Sequence, residues 1–418
     1  MSPSCFFLRL NIIGLLLAGS LFFMTNCQQK KDTGTASTNT NLLSNSETAD
    51  AQQAKTAQSN DPALGDLLPA SFGVGQPFYK RMEGKIGNEP PTVLHLQYID
   101  DVLRGTYSNA GDIFLIDNGQ LTPDNGTTAK AYRQTQGGGM ELIGYIEGHL
   151  TTDGQYNGTF TPTKAKEGIP FAFREIYGQS NLAMNIIPIN KKHGQCGGEE
   201  ACFSIKNAYL QARGGGNNLT VRDNCNIHFK NLLINQLTAG NKQKQFTQIE
   251  QAIDDAFVEF DTQTKDMPAH WDISGTPIVK FNDNNLLSIA FATYEYRGGV
   301  RPLDKIIALN IDLQNGQPLH LDDLFVPNHG HRLSLLIDQN LRKTQGIAET
   351  VPLTEVGFNA DIIKPTDNFF ITPQGIVFYY AFYEIAPPTM GDFAVNIPFG
   401  DLTDIINPNS LLANLAKY

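Results

Sequence analysis

Two histidines with metal-binding potential, His329 and His331, lie two residues apart, shortly after the acidic pair Asp322–Asp323. Imidazole nitrogens and a carboxylate are common ligands of zinc, and a complete site would need one of these acids as a third ligand. The same residues fit a polar loop that leads into a helix, and neither HExxH nor a second pair of ligands accompanies them. We therefore predict no metal and no other cofactor.

Three cysteines lie in the body of the chain, and two of them, Cys196 and Cys202, flank the short Gly-containing stretch GGEEA. A loop of this kind closes easily, so we predict a Cys196–Cys202 disulfide, which suits an oxidising compartment. Zinc is the alternative for these two thiols, but no second Cys pair or spaced His pair accompanies them. Cys225 is the odd thiol, and it is either buried or the true partner of one of the other two.

A cluster of tyrosines and arginines borders a predicted turn at Gly298–Gly299. Tyr294 and Tyr296 share one face of a strand that leads into the turn, and Arg297 and Arg301 flank it. Tyr and Arg are enriched among the residues that dominate binding energy, so these four side chains form a candidate binding surface. Tyrosines that pack against a helix would give the same pattern.

Glu384 follows the aromatic-rich run Phe378–Tyr383, which we predict to form core and cross-strand pairs. A carboxylate beside a core needs a partner, so we predict that Glu384 pairs with an arginine or with backbone amides, and we add it to the candidate surface. No nucleophile elbow, Walker loop or dinucleotide fingerprint appears, and nothing forces two carboxylates to face each other as in glycosidases. We predict no catalytic residue.

The composition favours turn-rich β structure and disfavours nucleic acid as a partner. Charged residues make up only 17% of the 418 residues, whereas there are 38 Gly and 22 Pro. The 31 Lys and Arg are outnumbered by 42 Asp and Glu, which gives a net charge of −11. Phosphate contacts need clustered Lys and Arg, so we predict no nucleic-acid partner.

The first 26 residues have the pattern of an export signal. The apolar stretch Leu10–Met24 is shorter than the ~20 residues that a membrane-spanning helix needs. The following Met24–Cys27 resembles a bacterial lipoprotein signal, in which the cysteine becomes the new N-terminus and carries lipid. This resemblance implies lipidation at Cys27, and an ordinary cleaved signal with a free Cys27 is the alternative.

Residues 27–70 are predicted to be a disordered tether, because they contain no aromatic residue and are rich in Thr, Ser, Asn, Gln and Ala. The expected protein is therefore exported and lipid-anchored in the bacterial cell envelope, at the outer membrane or cell surface rather than the inner membrane. Its membrane contact would be made through the N-terminal lipid.

The ordered body is predicted to be α+β. Residues 71–180 contain short strands separated by turns, with a hairpin expected at Asp117–Gly119, and they predict an antiparallel β meander or small barrel. After residue 180, apolar spacings of three and four predict helices near 246–260 and 333–341. The strand-like runs between them predict a C-terminal antiparallel sheet with helices packed on one face.

Two series of motifs resemble the extracellular domain of RsiV-type anti-sigma factors. They begin with YEYRGGVRP at Tyr294 and end with VNIPF at Phe399, passing through FITPQGIVF and YEIAP. Residues 181–290 resemble the accessory α+β region that precedes this domain in RsiV and in PdaC-type peptidoglycan deacetylases, and 291–418 would be the RsiV-like domain. The resemblance implies a place outside the membrane and, from RsiV, lysozyme binding. Nothing resembles the metal-binding deacetylase domain, so deacetylation is not implied.

We therefore expect an envelope-anchored lipoprotein that is a non-catalytic binding module for a lysozyme-like muramidase or for peptidoglycan. Without residues 1–26 the chain has 30 basic and 42 acidic residues, a net charge of −12, which suits a cationic muramidase. The alternative is a hydrolase that acts on envelope glycans.

Overall fold

The structure, a computed structural model, describes residues 75–109, 112–134, 140–197, 200–213, 219–265 and 267–415. The predicted signal (1–26), the predicted tether (27–70) and the lipidation candidate Cys27 lie outside the described residues. In the described ranges no helix is both long enough and apolar enough to cross a membrane.

The N-terminal part is a closed barrel of eight antiparallel strands, in which each strand pairs with the next and the last pairs with the first. The strands are β1 (Phe78–Ile86), β2 (Thr92–Ile99), β3 (Val102–Asn109), β4 (Asp112–Leu121), β5 (Gly126–Gln134), β6 (Met140–Leu150), β7 (Gln155–Pro162) and β8 (Ile169–Glu175). Every second side chain points inwards, and Met82, Leu96 and Phe173 are among those that fill the core. The predicted β-rich N-terminal fold is confirmed.

A β-bulge lies where a hairpin was predicted. Strand β4 continues through Asp117–Gly119, and its pairing shifts register against both β3 and β5 at this point. Asn118 adopts a φ of 53°, a left-handed conformation that Asn tolerates better than most residues. The hairpin prediction was wrong because the same residue types that allow a turn also allow a bulge.

The second body is a six-stranded sheet with the order β14–β13–β12–β11–β10–β9. Its strands are β9 (Met184–Gly194), β10 (Cys202–Ala212), β11 (His270–Asp283), β12 (Leu286–Arg297), β13 (Leu303–Asp312) and β14 (Gln317–Pro318). The helices α1 (Leu219–Leu237) and α2 (Ile249–Gln263) connect β10 to β11, which therefore pair in parallel, whereas the other pairs are antiparallel. Both helices pack on this sheet through a shared core that includes Phe203, Leu233 and Phe260.

A three-stranded antiparallel sheet completes the α+β fold, which confirms the predicted class. Its strands are β15 (Phe369–Thr372), β16 (Gly375–Tyr380) and β17 (Phe393–Pro398), and the helices around it are α3 (Leu321–Leu324), α4 (His329–Gln345), α5 (Phe399–Leu402) and α6 (Leu412–Leu415). Two 3₁₀ turns, Leu353–Val356 and Pro388–Met390, lie between these elements. Helix α4 buries Leu333, Leu336, Ile337 and Leu341 as predicted, and it ends at Gly346 with a φ of 68°. The residue 290/291 boundary falls inside β12, so both predicted C-terminal regions share one sheet.

The barrel docks on the six-stranded sheet through the outer face of β1 and β2, which explains why these strands are buried on both faces. The amide of Gln97 donates to the Pro277 carbonyl (3.1 Å) and accepts from the Val279 backbone N–H (2.9 Å). Nearby, Arg81 forms an ion pair with Asp283 at 2.6 Å. We call this contact the barrel–sheet junction. Its buried polar groups are paired across the two bodies and so fix their relative position.

Candidate functional site

The structure brings Arg301 and Glu384 together through a tyrosine between them. The Arg301 guanidinium donates to the Tyr383 hydroxyl at 2.6 Å, and it lies 5.2 Å from the centre of the Tyr383 ring and 5.7 Å from that of Phe382. Arg301 belongs to the exposed tip between β12 and β13, where Val300 is fully exposed. This arrangement presents a cation and aromatic rings together at the surface.

The tyrosine is held in an unusual backbone conformation. Tyr383 has a φ of 69°, which a bulky residue rarely adopts, and its side chain is 60% exposed. The turn around it is closed twice, because the Glu384 N–H donates to the Ala381 carbonyl (3.1 Å) and the Ala381 N–H donates to the Glu384 carboxylate (2.9 Å). Glu384 thus has the backbone amide partner that we predicted. A strained and exposed aromatic residue is a feature of binding sites.

A cavity of about 360 Å³ with both polar and apolar walls opens beside this turn. Residues 359–366 form one wall, and Tyr380, Glu384 and Ile385 contribute to the other. The Tyr380 hydroxyl donates to the Lys364 carbonyl at 2.7 Å, which ties the two walls together. Burial and the charge of Glu384 raise the pKa of Tyr380, so its hydroxyl stays protonated. We call this cavity and the adjoining Arg301 and Tyr383 side chains the Arg301–Tyr383 site.

Of the five residues of the predicted surface, only Glu384 lines this cavity, and Arg301 is connected to it through its bond to Tyr383. Arg297 donates to the backbone carbonyl of Leu237 (2.7 Å) at the end of α1, and its guanidinium lies 5.2 Å from the centre of the Trp271 ring. Tyr296 donates to the Gly299 carbonyl within its own hairpin (3.2 Å), and Tyr294 is half-buried on the same strand. Their positions give Arg297 and Tyr296 structural contacts, and only Arg301 and Glu384 reach the site.

Among the described residues, the three cysteines are placed so that none offers a reactive thiol. Cys196 and Cys202 form a disulfide across the end of the β9–β10 hairpin. Cys225 is buried in α1, and burial raises the pKa of its thiol to about 12. Because the thiolate is the nucleophilic form, Cys225 is inert at neutral pH.

His329 and His331 lie in the first turn of α4. His329 Nδ1 is 3.0 Å from the Val326 carbonyl, and its other nitrogen is 3.8 Å from Asp322. Asp323 accepts a hydrogen bond from the His320 N–H at 2.8 Å and so caps α3. In the part of the chain that the structure describes, no three His, Cys, Asp or Glu side chains converge as a metal site would require.

Sequence reasoning missed the cavity and misassigned one of its neighbours. Tyr383 was predicted to be a core or cross-strand residue, but it follows the end of β16 and is mainly exposed. Asn359, Lys364 and Thr366, which line the cavity, lie in an irregular segment without a motif. The YEIAP motif was the one signal that pointed to this place.

Comparisons with known proteins find a match in the C-terminal part of the chain. Residues 322–400 match the family model described as "Protein of unknown function (DUF3298)". The matched residues include those that line the cavity, and Tyr383. The more specific RsiV-type resemblance stays a prediction.

Three known proteins are similar to this chain. Esterase Rv3036c of Mycobacterium tuberculosis (strain ATCC 25618 / H37Rv) is 27% identical over 118 residues, which are 27% of this chain and 48% of that protein. The crystal structure of a DUF3298 family member from Bacteroides fragilis NCTC 9343 has a TM-score of 0.47 and 22% identity, and the match covers 58% of this chain and 100% of that one. The crystal structure of a DUF3298 family protein from Pseudomonas aeruginosa PAO1 has a TM-score of 0.43 and 16% identity, and the match covers 56% of this chain and 98% of that one. The chain thus spans about half the length of its curated relative, and these likenesses fix no activity for it.

Proposed function

We propose that this protein is an envelope-anchored, non-catalytic binding module that holds peptidoglycan at the Arg301–Tyr383 site. The observation that carries the proposal is the exposed Tyr383 ring, which is held in a left-handed conformation beside Arg301. The next residue, Glu384, lines a cavity of about 360 Å³. The volume lies within the range of roughly 300–1,000 Å³ that small-ligand sites occupy. It suits one or two sugar or amino-acid units better than the flat face of a protein.

The site's chemistry matches that of a glycan strand with peptide stems. An aromatic ring offers a flat apolar surface to the face of a sugar, while its hydroxyl stays hydrogen-bonded to Arg301. Peptidoglycan also carries carboxylates, which Arg301 and the exposed Lys364 can pair with, and N-acetyl amides, which can bond to Asn359 and Thr366. The predicted lipid at Cys27 and the tether 27–70 would keep this site within reach of the cell wall.

Cosedimentation with insoluble peptidoglycan tests the proposal, using the chain from residue 28 onward, which keeps every described residue. Tyr383→Gly removes the ring and also relieves the left-handed backbone, so a loss of binding cannot be due to added strain. We expect it to weaken binding ~10- to 30-fold, as for an aromatic hot spot. Arg301→Ala should have a similar effect.

The matched control is Tyr145→Ala on the barrel, where another tyrosine is 46% exposed. This variant should bind like the wild type. If the wild type is not retained by peptidoglycan, or if Tyr383→Gly and Tyr145→Ala bind equally well, the proposed site is wrong.

A lysozyme-like muramidase is the second candidate ligand, favoured by the net charge of −12 that remains without residues 1–26. Pull-down with lysozyme at low and moderate salt tests it. Retention that disappears with salt and is unaffected by Tyr383→Gly would indicate a surface charge interaction instead of the Arg301–Tyr383 site.

The hydrolase alternative follows from the relative that is named an esterase. Incubation of the protein with labelled peptidoglycan and with a p-nitrophenyl ester measures turnover directly. Release of product above the rate of the Tyr383→Gly and Arg301→Ala variants would replace the binding proposal with an enzymatic one.

A further inference from the structure

The barrel contains an apolar cavity that its side chains leave unfilled. The cavity has a volume of about 70 Å³, and its walls are almost entirely apolar, with Leu94, Ile116, Ile146, Phe171 and Phe173 among them. Apart from Glu89 and the hydroxyls of Tyr107 and Tyr156, the walls offer water no hydrogen-bond partners, so the apolar part of the cavity stays dry. Transfer of an apolar group from water into this cavity therefore has a favourable free energy, provided that the group fits.

The cavity is closed at one end of the barrel. At that end Tyr156 is hydrogen-bonded to Thr127 at 2.8 Å, and both residues are buried. Lys80 of β1 and Glu175 of β8 point into the barrel like the core residues of their strands, and they form an ion pair at 2.6 Å. Their side chains are only 3% and 6% exposed. Paired charges at this depth leave no route for a ligand, so the pocket is blind.

The opposite end of the barrel is the entrance. The side chains of Ile86, Phe114, Ile143 and Phe160 are only partly buried there, and Ile169 is 38% exposed. Glu89 accepts a hydrogen bond from the Tyr107 hydroxyl at 2.6 Å at this end and is the one charged residue among those that line the cavity. A ligand that enters here meets apolar surface first and leaves any polar end near water.

The shape selects among apolar ligands. An apolar cavity of about 150 Å³ holds a benzene ring, and this cavity has less than half that volume. A ring would therefore displace core side chains, at the cost that overpacking brings. A linear alkyl chain is narrow enough to enter end-on.

We propose that the barrel is a binding site for the end of a linear alkyl chain, with the polar head of the amphiphile outside the entrance near Glu89. The site is separate from the Arg301–Tyr383 site and does not depend on its function. A free fatty acid and the acyl chain of a lipid share this chemistry.

A chain-length series tests the proposal on the same chain from residue 28 onward. Alkanoic acids of 2 to 12 carbons, each below its critical micelle concentration, are titrated by calorimetry. Each methylene that enters the cavity should strengthen binding about fourfold, which corresponds to ~0.8 kcal/mol, and the gain should stop once the cavity is full. A parallel titration with alkyl phosphocholines of equal length distinguishes the sources, because tighter binding of one head group identifies the natural class.

A direct readout places the chain in the barrel. In an acid labelled with ¹³C at its terminal methyl, that methyl should shift upfield, because the rings of Tyr156, Phe171 and Phe173 surround the cavity. Ile169→Glu puts a charge at the entrance and should weaken binding at least tenfold. Its matched control is Ile176→Glu, at an isoleucine that is 40% exposed just beyond β8 and should leave binding unchanged.

The proposal is overturned if no acid of the series binds, if affinity does not rise with chain length, or if Ile169→Glu and Ile176→Glu bind equally well. Equal binding by benzene would overturn the selection for a linear chain. Cosedimentation of Ile169→Glu with peptidoglycan should match the wild type, so the two proposed sites fail or succeed separately.

Discussion

Acid should weaken this protein through one buried histidine at the barrel–sheet junction, His95. Leu182 fixes the orientation of the Asn282 amide, because its N–H donates to the amide oxygen and its carbonyl accepts from the amide nitrogen, both at 2.8 Å. The same amide nitrogen donates to the Tyr79 hydroxyl at 3.0 Å, and that hydroxyl is 2.9 Å from His95 Nδ1. We assign the hydroxyl proton to the bond with Nδ1, which makes Nδ1 the unprotonated acceptor.

Burial, together with the charge of Arg81, lowers the pKa of His95 from 6.5 to about 3. The unfolded chain therefore takes up a proton at a pH where the folded protein does not. The neutral imidazole contributes its full stability above pH 6.5, and this contribution is lost as the pH falls from 6.5 to about 3. At pH 5 the loss is about 2 kcal/mol, and at pH 3 it is about 4 kcal/mol.

His95→Asn removes the titration and keeps an acceptor for Tyr79, since the Asn amide oxygen can take the place of Nδ1. Urea unfolding of the wild type and the variant at pH 8 and pH 5 measures the effect. Far-UV circular dichroism reports on both bodies, and the fluorescence of Trp271, the single tryptophan, reports on the sheet. The variant should be less stable than the wild type at both pH values, because the smaller side chain leaves a small void. From pH 8 to pH 5, however, its free energy of unfolding should fall by about 2 kcal/mol less than that of the wild type.

Carboxylates that titrate near pH 5 affect the wild type and the variant alike, so the difference between the two isolates His95. His149→Asn, at an exposed position of β6, is the matched control and should keep the pH dependence of the wild type. Equal losses for the wild type and His95→Asn would refute the assignment of a neutral, buried imidazole to this junction.

Three further predictions concern stability. Burial and the charge of Arg104 lower the pKa of Lys280 from 10.5 to about 8. Lys280→Met should therefore raise the free energy of unfolding at pH 7 by about 1–2 kcal/mol. The wild type should gain stability between pH 8 and pH 10.5, and the variant should lack this gain, as urea unfolding at these pH values will measure. Arg297→Ala should lower the free energy of unfolding by about 1–3 kcal/mol, measured by urea unfolding, because the end of α1 loses its charged donor. Replacing Cys196 and Cys202 with Ser should cost about 2 kcal/mol by the same measurement, the value expected for a short closed loop, and reductant should then have no further effect.

The elements with strong local patterns were predictable from the sequence. The spacing of Leu333, Leu336, Ile337 and Leu341 describes one face of a helix regardless of what that face meets, and α4 forms there. The strand-and-turn pattern of 71–180 likewise predicts an antiparallel meander. Whether the meander closes depends on the pairing of β1 with β8, a contact between distant residues that no local pattern encodes.

The candidate site was predictable only in part, for the same reason. Arg301 and Glu384 were identified by residue type, but the hydrogen bond that connects Arg301 to Tyr383 joins residues 82 positions apart. The aromatic run that begins at Phe378 predicts buried residues, and this is correct for Phe378, Tyr379 and Tyr380. The strand ends at Tyr380, and the left-handed turn that exposes Tyr383 follows. Nothing in the residue types of 359–366 indicates that this irregular segment forms the wall of a cavity.

The two arginines beside the Gly298–Gly299 turn explain why residue type alone could not identify the site. Arg297 lies on the last position of β12, where its side chain reaches the end of α1 and the face of Trp271, so its interactions stabilise the fold. Arg301 is four residues further on, beyond the turn, where its partners are the rings of Phe382 and Tyr383 in the part of the chain that matches the DUF3298 model. The glycines reverse the chain between them and so send two identical side chains to different bodies. A binding surface is thus defined by where the turn places a side chain, and loss of Arg297 should affect ligand binding only as far as it unfolds the protein.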